Sequence, residues 1–290
     1  VDVVWPSLFG LLLAGYFALE GFDIGVGLLL PVLARTPERR DRLIAAVGPF
    51  LLANEIWLVA LAGVFVGVFP VLEGEVLSGL YPAFVALLLS WVVRDAGFWF
   101  RLREKSPAWR RTWEAAVVAG SAGLTLSWGF ILSGAIGGGL LTGVAYGAAL
   151  AALFAAHGTG FAARRLPAPG GGPDPLAGAV ARRAALPAVL LTAVAAVPVV
   201  LAHPGAWPAA VLAVAAALLA TRSFPATALA AAAPALATFG ALLPYLLAHT
   251  ASASTLGAMS LVALPLLPFM AAAQWWVWRA FRTPVARSFF

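Results

Sequence analysis

Cysteine is absent from the 290-residue sequence, which excludes disulfide frameworks, thiolate metal sites and cysteine nucleophiles. Charge is scarce as well. Only 10% of the residues are charged and 62% are hydrophobic, whereas a soluble domain is about a quarter charged. A water-soluble fold has no means of hiding so much apolar surface, and the mean hydropathy of +0.96 agrees. The chain is therefore expected to be an all-α polytopic membrane protein. Potential haem ligands are few, with three histidines and two methionines in the whole sequence. There is no glycine-rich phosphate loop and no His-Glu-x-x-His metal motif, and the pair Gly25 and Gly27 lies inside an apolar helix that a nucleotide does not reach.

Apolar runs of about 20 residues, enough to cross a hydrocarbon core as helix, predict nine spans. They are Leu8–Leu33, Val47–Phe69, Leu77–Phe100, Ala115–Ala135, Leu141–Ala163, Ala184–Ala202, Trp207–Thr221, Ala226–Ala248 and Leu256–Phe281. The first is too long for a signal-peptide core and carries Glu20 and Asp23, so it is expected to remain in the mature protein. A Gly- and Pro-rich stretch near Pro167 to Pro175 suggests three segments: an N-terminal transmembrane bundle over 1–166, a linker over 167–183, and C-terminal helices over 184–290.

Basic residues fall in alternate connections. Arg35, Arg39, Arg40 and Arg42 follow the first span; Arg101 to Arg111 follow the third; Arg164, Arg165, Arg182 and Arg183 follow the fifth. Arg222 follows the seventh, and Arg279, Arg282 and Arg287 close the chain. The intervening connections carry Glu73, Glu75, a glycine run, His203 and His249, without Lys or Arg. The positive-inside rule assigns the basic connections to the cytoplasm, the N-terminus to the outside and the C-terminus to the inside. Topology and lipid headgroups account for the net charge of +6, so no nucleic-acid partner is expected.

Five ionisable residues fall within spans: Glu20, Asp23, Glu55, Arg94 and Asp95. Each is costly in a membrane unless paired or hydrated, and is a functional candidate for that reason. Counting at 1.5 Å per residue puts Glu20 about 18 Å, Asp23 about 22 Å and Arg94 about 26 Å from the outer end, and Glu55 about 12 Å up from the inner end. A cluster on the inner side of the midplane follows, with Arg94 partnering Asp23 or Glu55. It suits either a proton relay or a structural pair pinning three helices. Asp95 is expected to be an interfacial charge. Trp57, two residues after Glu55, is expected to line a cavity or fill space. His157 stands on the inner half of the fifth helix, distant from His203 and His249 in the outer connections, and Met259 and Met270 are expected to pack, so no axial haem pair is evident.

Several motifs resemble subunit II of the cytochrome bd-type quinol oxidases. They are Glu20-Gly-Phe-Asp23-Ile-Gly-Val-Gly27, then Gly48-Pro49 with Asn54-Glu55-Ile56-Trp57, then Phe69-Pro70, Tyr81-Pro82, and Arg94, Phe98 and Arg101. The likeness returns at Pro244-Tyr245, Ser254-Thr255-Leu256, Pro265 and Trp275 to Arg279. The resemblance implies two four-helix bundles plus one peripheral helix in a bacterial cytoplasmic membrane. It also implies a partner, a haem-bearing subunit I holding haems b and d, with no cofactor in this chain. In such a respiratory-chain oxidase, quinol reaches the partner and oxygen is reduced to water. This chain would then supply scaffold, oxygen access and part of a proton path through Glu20, Asp23, Glu55 and Arg94, with Asn54 and Trp57 as motif residues. The resemblance leaves room for a bound quinone or lipid and a small accessory subunit. Leu52 stands where the family usually has aspartate. The competing readings are an ion- or proton-coupled transporter using the same cluster and a structural anchor of another membrane complex.

Overall fold

The computed structural model describes residues 3–166, 172, 174–202, 205, 210, 213–214, 217 and 223–282. The helices are α1 (Val4–Leu28), α2 (Leu30–Leu33), α3 (Pro37–Val68), α4 (Pro70–Gly79), α5 (Tyr81–Phe100), α6 (Pro107–Ala135), α7 (Leu140–Arg165), α8 (Pro175–Ala202), α9 (Phe224–Ala248) and α10 (Ala253–Ala280). Among the described residues there is no strand, and eight helices are long and apolar enough to cross a membrane. Most of the expected seventh span, Trp207–Thr221, together with His203, Arg222, Arg287 and most of the proline- and glycine-rich loop, lies outside the described residues.

Helix starts follow a repeated chemical signal. Thr36, Ser106 and Ser223 each accept a hydrogen bond from the backbone N–H three residues on, next to a proline in the first turn. Asp174 does the same for Ala177 at 2.8 Å ahead of Pro175. A side-chain oxygen satisfies an orphan donor, and proline has no N–H to lose there. These caps start α3 and α6 about two to three turns before the apolar runs begin. Arg39, Arg40 and Arg42 thus ride on α3 instead of forming a loop, and residues 175–183, read as linker, belong to α8. The expected third span is broken at Leu80 into α4 and α5.

Helix α1 occupies the centre, packed against α3, α6, α7 and α9, while α10 leans on α3. Glycine makes the α1–α7 contact. A Cβ on Gly158 would meet the Gly25 and Val26 backbone at 2.5 Å, and a Cβ on Gly25 would run into the Phe154 carbonyl. Gly143 and Gly147 likewise face α6, whereas Gly63 has nothing within 4 Å.

Two large apolar clusters lie in the interior, beside a smaller one around Leu153, Ala188 and Ala233. One cluster gathers Phe17, Leu58, Leu87, Leu124, Phe154 and Met270; the other gathers Val26, Leu51, Phe98, Val117, Phe161 and Val277. Between these levels seven helices carry polar side chains: Glu20 and Asp23 on α1, Asn54 and Glu55 on α3, Arg94 on α5, Ser121 on α6, His157 on α7, Thr227 on α9 and Gln274 on α10, all buried. The fold is thus two oily halves separated by a polar layer.

Because the α1–α7 approach has no spare volume, Gly158→Val is expected to destabilise by about 1–3 kcal/mol, the range for overpacking. Gly63→Ala, in open space, should melt like wild type. Thermal unfolding of the detergent-purified protein measures both, and equal melting of the Gly158 variant would show the contact to be looser than described.

Candidate functional site

Arg94 is the centre of the polar layer and has no solvent exposure. Its Nη1 donates to Glu20, its Nη2 to Glu55 at 2.8 Å and its Nε to Asp95 at 2.9 Å. A planar guanidinium can serve three carboxylates at once, whereas an ammonium has no such fork. Helix α6 fixes the Arg94 backbone from behind, since a Cβ on Gly120 would lie 2.5 Å from the Arg94 nitrogen and 2.6 Å from the Ser90 carbonyl.

Asp23 does not pair with Arg94, contrary to one of the two expected partnerships. It accepts from Asn54 Nδ2 at 2.7 Å, and the same amide reaches the Leu19 carbonyl at 3.1 Å. Gln274 Nε2 donates to Asn54 Oδ1 at 2.9 Å, and Trp57 Nε1 donates to Gln274 Oε1 at 3.2 Å. Trp57 is therefore a terminal donor of an amide chain, while its ring fills space against Gly15 of α1 at the edge of the apolar core. Asp95 is also more than an interfacial charge, for it is a direct Arg94 partner whose side chain retains 23% exposure.

The cluster therefore grades from the surface inward. Asp95 and Glu55, with side chains 23% and 11% exposed, stand at the rim, while Glu20 is at 1%. Two buried acceptors, Glu20 Oε2 and Asp23 Oδ1, have no hydrogen-bond partner among the described residues. Buried carboxylate oxygens are seldom left so, because desolvation without a partner is costly. Leu52 lies apart, 64% exposed on the outer face of α3.

His157 is fully buried, with Nε2 at 2.9 Å from the Ala18 carbonyl and Nδ1 at 2.7 Å from Thr227 Oγ1. A carbonyl only accepts, so Nε2 carries the hydrogen. Both ring nitrogens are engaged and the ring stacks on Phe224 at 4.5 Å. This residue does not fit a haem iron.

A second network, read from sequence only as topology, lies at the arginine-rich ends. Arg101, fully buried, donates to Asp41 at 2.6 Å and to Glu114 at 2.8 and 2.9 Å. Arg40 reaches Glu114 at 2.8 Å and Arg39 reaches Asp174 at 2.6 Å. On the far side of the polar layer, an apolar cavity of about 830 Å³ opens between α1, α3, α4, α5, α6 and α9, bordered by Phe9, Leu61, Tyr81, Trp91 and Phe239.

Comparison with known proteins follows this geometry. The family model described as cytochrome bd terminal oxidase subunit II matches residues 1–281. Similar relatives are the cytochrome bd ubiquinol oxidase subunit 2 of Bacillus subtilis, 39% identical over 118 residues, and the cytochrome bd-I ubiquinol oxidase subunit 2 of Escherichia coli K12, 32% identical over 118 residues. Each alignment covers 41% of this chain and 35% or 31% of the relative, so it spans about a third of the relative's length. A bd oxidase structure from Geobacillus thermodenitrificans superposes with TM-score 0.77 at 18% identity, over 97% of this chain and 98% of that one, a likeness of fold.

Removing the central cation leaves its carboxylates buried together, a loss of about 3–5 kcal/mol for a broken buried pair. Arg94→Met is expected to lower the melting temperature sharply or to prevent recovery of the protein from membranes. Arg94→Lys should restore only part of it, because one ammonium replaces a three-way fork. Full stability of both variants would remove Arg94 as the organising charge.

Proposed function

The chain belongs to the cytochrome bd terminal oxidase subunit II family, and from this premise we propose that it is the haem-free second subunit of a membrane-bound quinol oxidase. The observation that carries the reading is the extent of the match, residues 1–281, which takes in every helix of the polar layer. The activity is quinol oxidation coupled to reduction of oxygen to water, carried out with a haem-bearing subunit I. The engaged ring nitrogens of His157 support haem residence in that partner.

In this reading the polar layer is part of a proton path. Three carboxylates, Glu20, Glu55 and Asp95, share the single guanidinium of Arg94, and a fourth, Asp23, stands one turn from Glu20 on α1 and is held by Asn54. Full ionisation would leave uncompensated negative charge in the membrane interior, at several kcal/mol per group. Protons held by the cluster offset that cost, and a cluster that holds protons can pass them on. The rim carboxylates Asp95 and Glu55 admit them, and Glu20 and Asp23 take them deeper. Leu52, on the outer face of α3, leaves this route independent of the family's aspartate position.

The large cavity supports a second contribution. Its wall is apolar apart from groups such as the Trp91 indole, a buried donor without a partner among the described residues. Such a space suits oxygen on its way to the partner, or the tail of a lipid or quinone. The arginine-rich ends face the cytoplasm under the positive-inside rule, which puts the polar layer nearer that side and the cavity nearer the outside.

Affinity purification of this chain from native membranes should bring down a haem-bearing membrane subunit with an oxidase spectrum. Isolation as a stable haem-free protein that moves ions in liposomes would overturn the assignment in favour of a transporter. Within the complex, Asp23→Asn and Glu55→Gln are each expected to slow quinol-driven oxygen consumption by about a hundredfold if the group transfers a proton in a limiting step, with haem content unchanged. Wild-type turnover in both variants sinks the proton path while leaving the family assignment standing.

A further inference from the structure

Carboxylates end early in this sequence. After Asp174 none follows, while Arg182, Arg183, Arg222, Arg279, Arg282 and Arg287 are still to come. Asp174 itself is taken by Arg39, and Asp41 and Glu114 are shared among Arg40, Arg101 and Arg110. Arg164, Arg165 and Arg282 form no ion pair among the described residues, yet they converge on one pocket of about 330 Å³ with Phe161, Phe224 and Trp278. Positive charge that the chain does not balance is gathered at a concave place.

The pocket is built rather than incidental. Its floor is an aromatic stack in which Phe22 lies on Phe161 at 4.4 Å, Phe50 lies against Trp278 at 4.6 Å and Phe224 is 5.7 Å from Trp278. Arg165, only 9% exposed, sits 5.5 Å over Phe161 and 5.8 Å over Trp278 and donates to the Phe281 carbonyl. Arg164 sits 4.9 Å over Phe224. A guanidinium placed over a ring by cation–π attraction still has N–H groups to offer an acceptor, and its fork matches the paired oxygens of a phosphate. Its place in the fold adds a direction. The pocket joins the last turn of α7, the first turn of α9 and the end of α10, the level at which lipid headgroups meet a bundle.

We propose that this pocket binds the phosphate of an anionic phospholipid from the leaflet on the arginine-rich face. The acyl chains have a track beside it. Trp275 and Leu261 stand seven and twenty-one residues before Arg282, near one face of α10, and are 61% and 81% exposed. A free phosphate would use the arginines and leave that apolar track unused. The lipid uses both.

The test is native mass spectrometry of the purified complex containing the full chain, mixed with phosphatidylglycerol or phosphatidylcholine. Wild type is expected to retain phosphatidylglycerol, and Arg164→Gln with Arg282→Gln to retain it about thirtyfold less, two basic contacts' worth, with phosphatidylcholine unaffected. Arg164→Lys with Arg282→Lys should regain most of the retention. Equal retention by wild type and the glutamine variant overturns the proposal, as does a wild-type complex that retains no phosphatidylglycerol because the partner subunit covers the pocket. Displacement by inorganic phosphate overturns the lipid as ligand. If the glutamine variant does not assemble, a salt titration of wild type decides: retention should fall as salt rises, and salt-insensitive retention overturns the proposal.

Discussion

A fully buried guanidinium among carboxylates is the constraint around which the helices are arranged. Arg94 has no water to solvate it, so Glu20 and Glu55 must come to it from α1 and α3, and Asp95 must turn back along α5. Those demands set the rotation of three helices and the height at which they meet. Packing of oily surface alone would leave both free, since lipid tails are as apolar as leucine and offer no reason for helices to choose one register. The buried ions therefore specify geometry more than they add stability, a role consistent with the balance of desolvation against attraction.

The rest of the polar layer extends the same logic with neutral groups. Asn54, Gln274 and Trp57 form an amide chain from Asp23 to the last helix, and His157 ties α7 to α1 and α9. Helices without a charge are thus registered against those with one. Two apolar cores on either side fill the remaining space without needing to encode alignment.

Much of this was legible in the sequence, for identifiable reasons. Spans are legible because length and hydropathy are local properties, and counting along the helices shows that Glu20, Glu55 and Arg94 are able to meet. The choice of partner was not legible. Whether Arg94 meets Asp23 or Glu55 depends on helix rotation, which the position of Gly120 against Arg94 and of Gly158 against Gly25 decides in space. Gln274 was overlooked because a neutral amide inside an apolar run carries no charge to notice, although a buried amide has as much need of partners. The ion pairs of Arg101 with Asp41 and Glu114 were hidden by the opposite effect, since charges at span ends are expected to be solvated and only the folded α3, α5 and α6 bring them under cover.

The Gly120 contact has one more consequence. With the α6 backbone pressed against the nitrogen of Arg94, α5 has no room to slide or roll toward α6 during turnover. The proposed proton path would therefore run through a skeleton that stays still, with carboxyl groups exchanging hydrogens in place. Such a path is less a gate with moving parts than a fixed conductor, whose throughput is set by the spacing of its rungs.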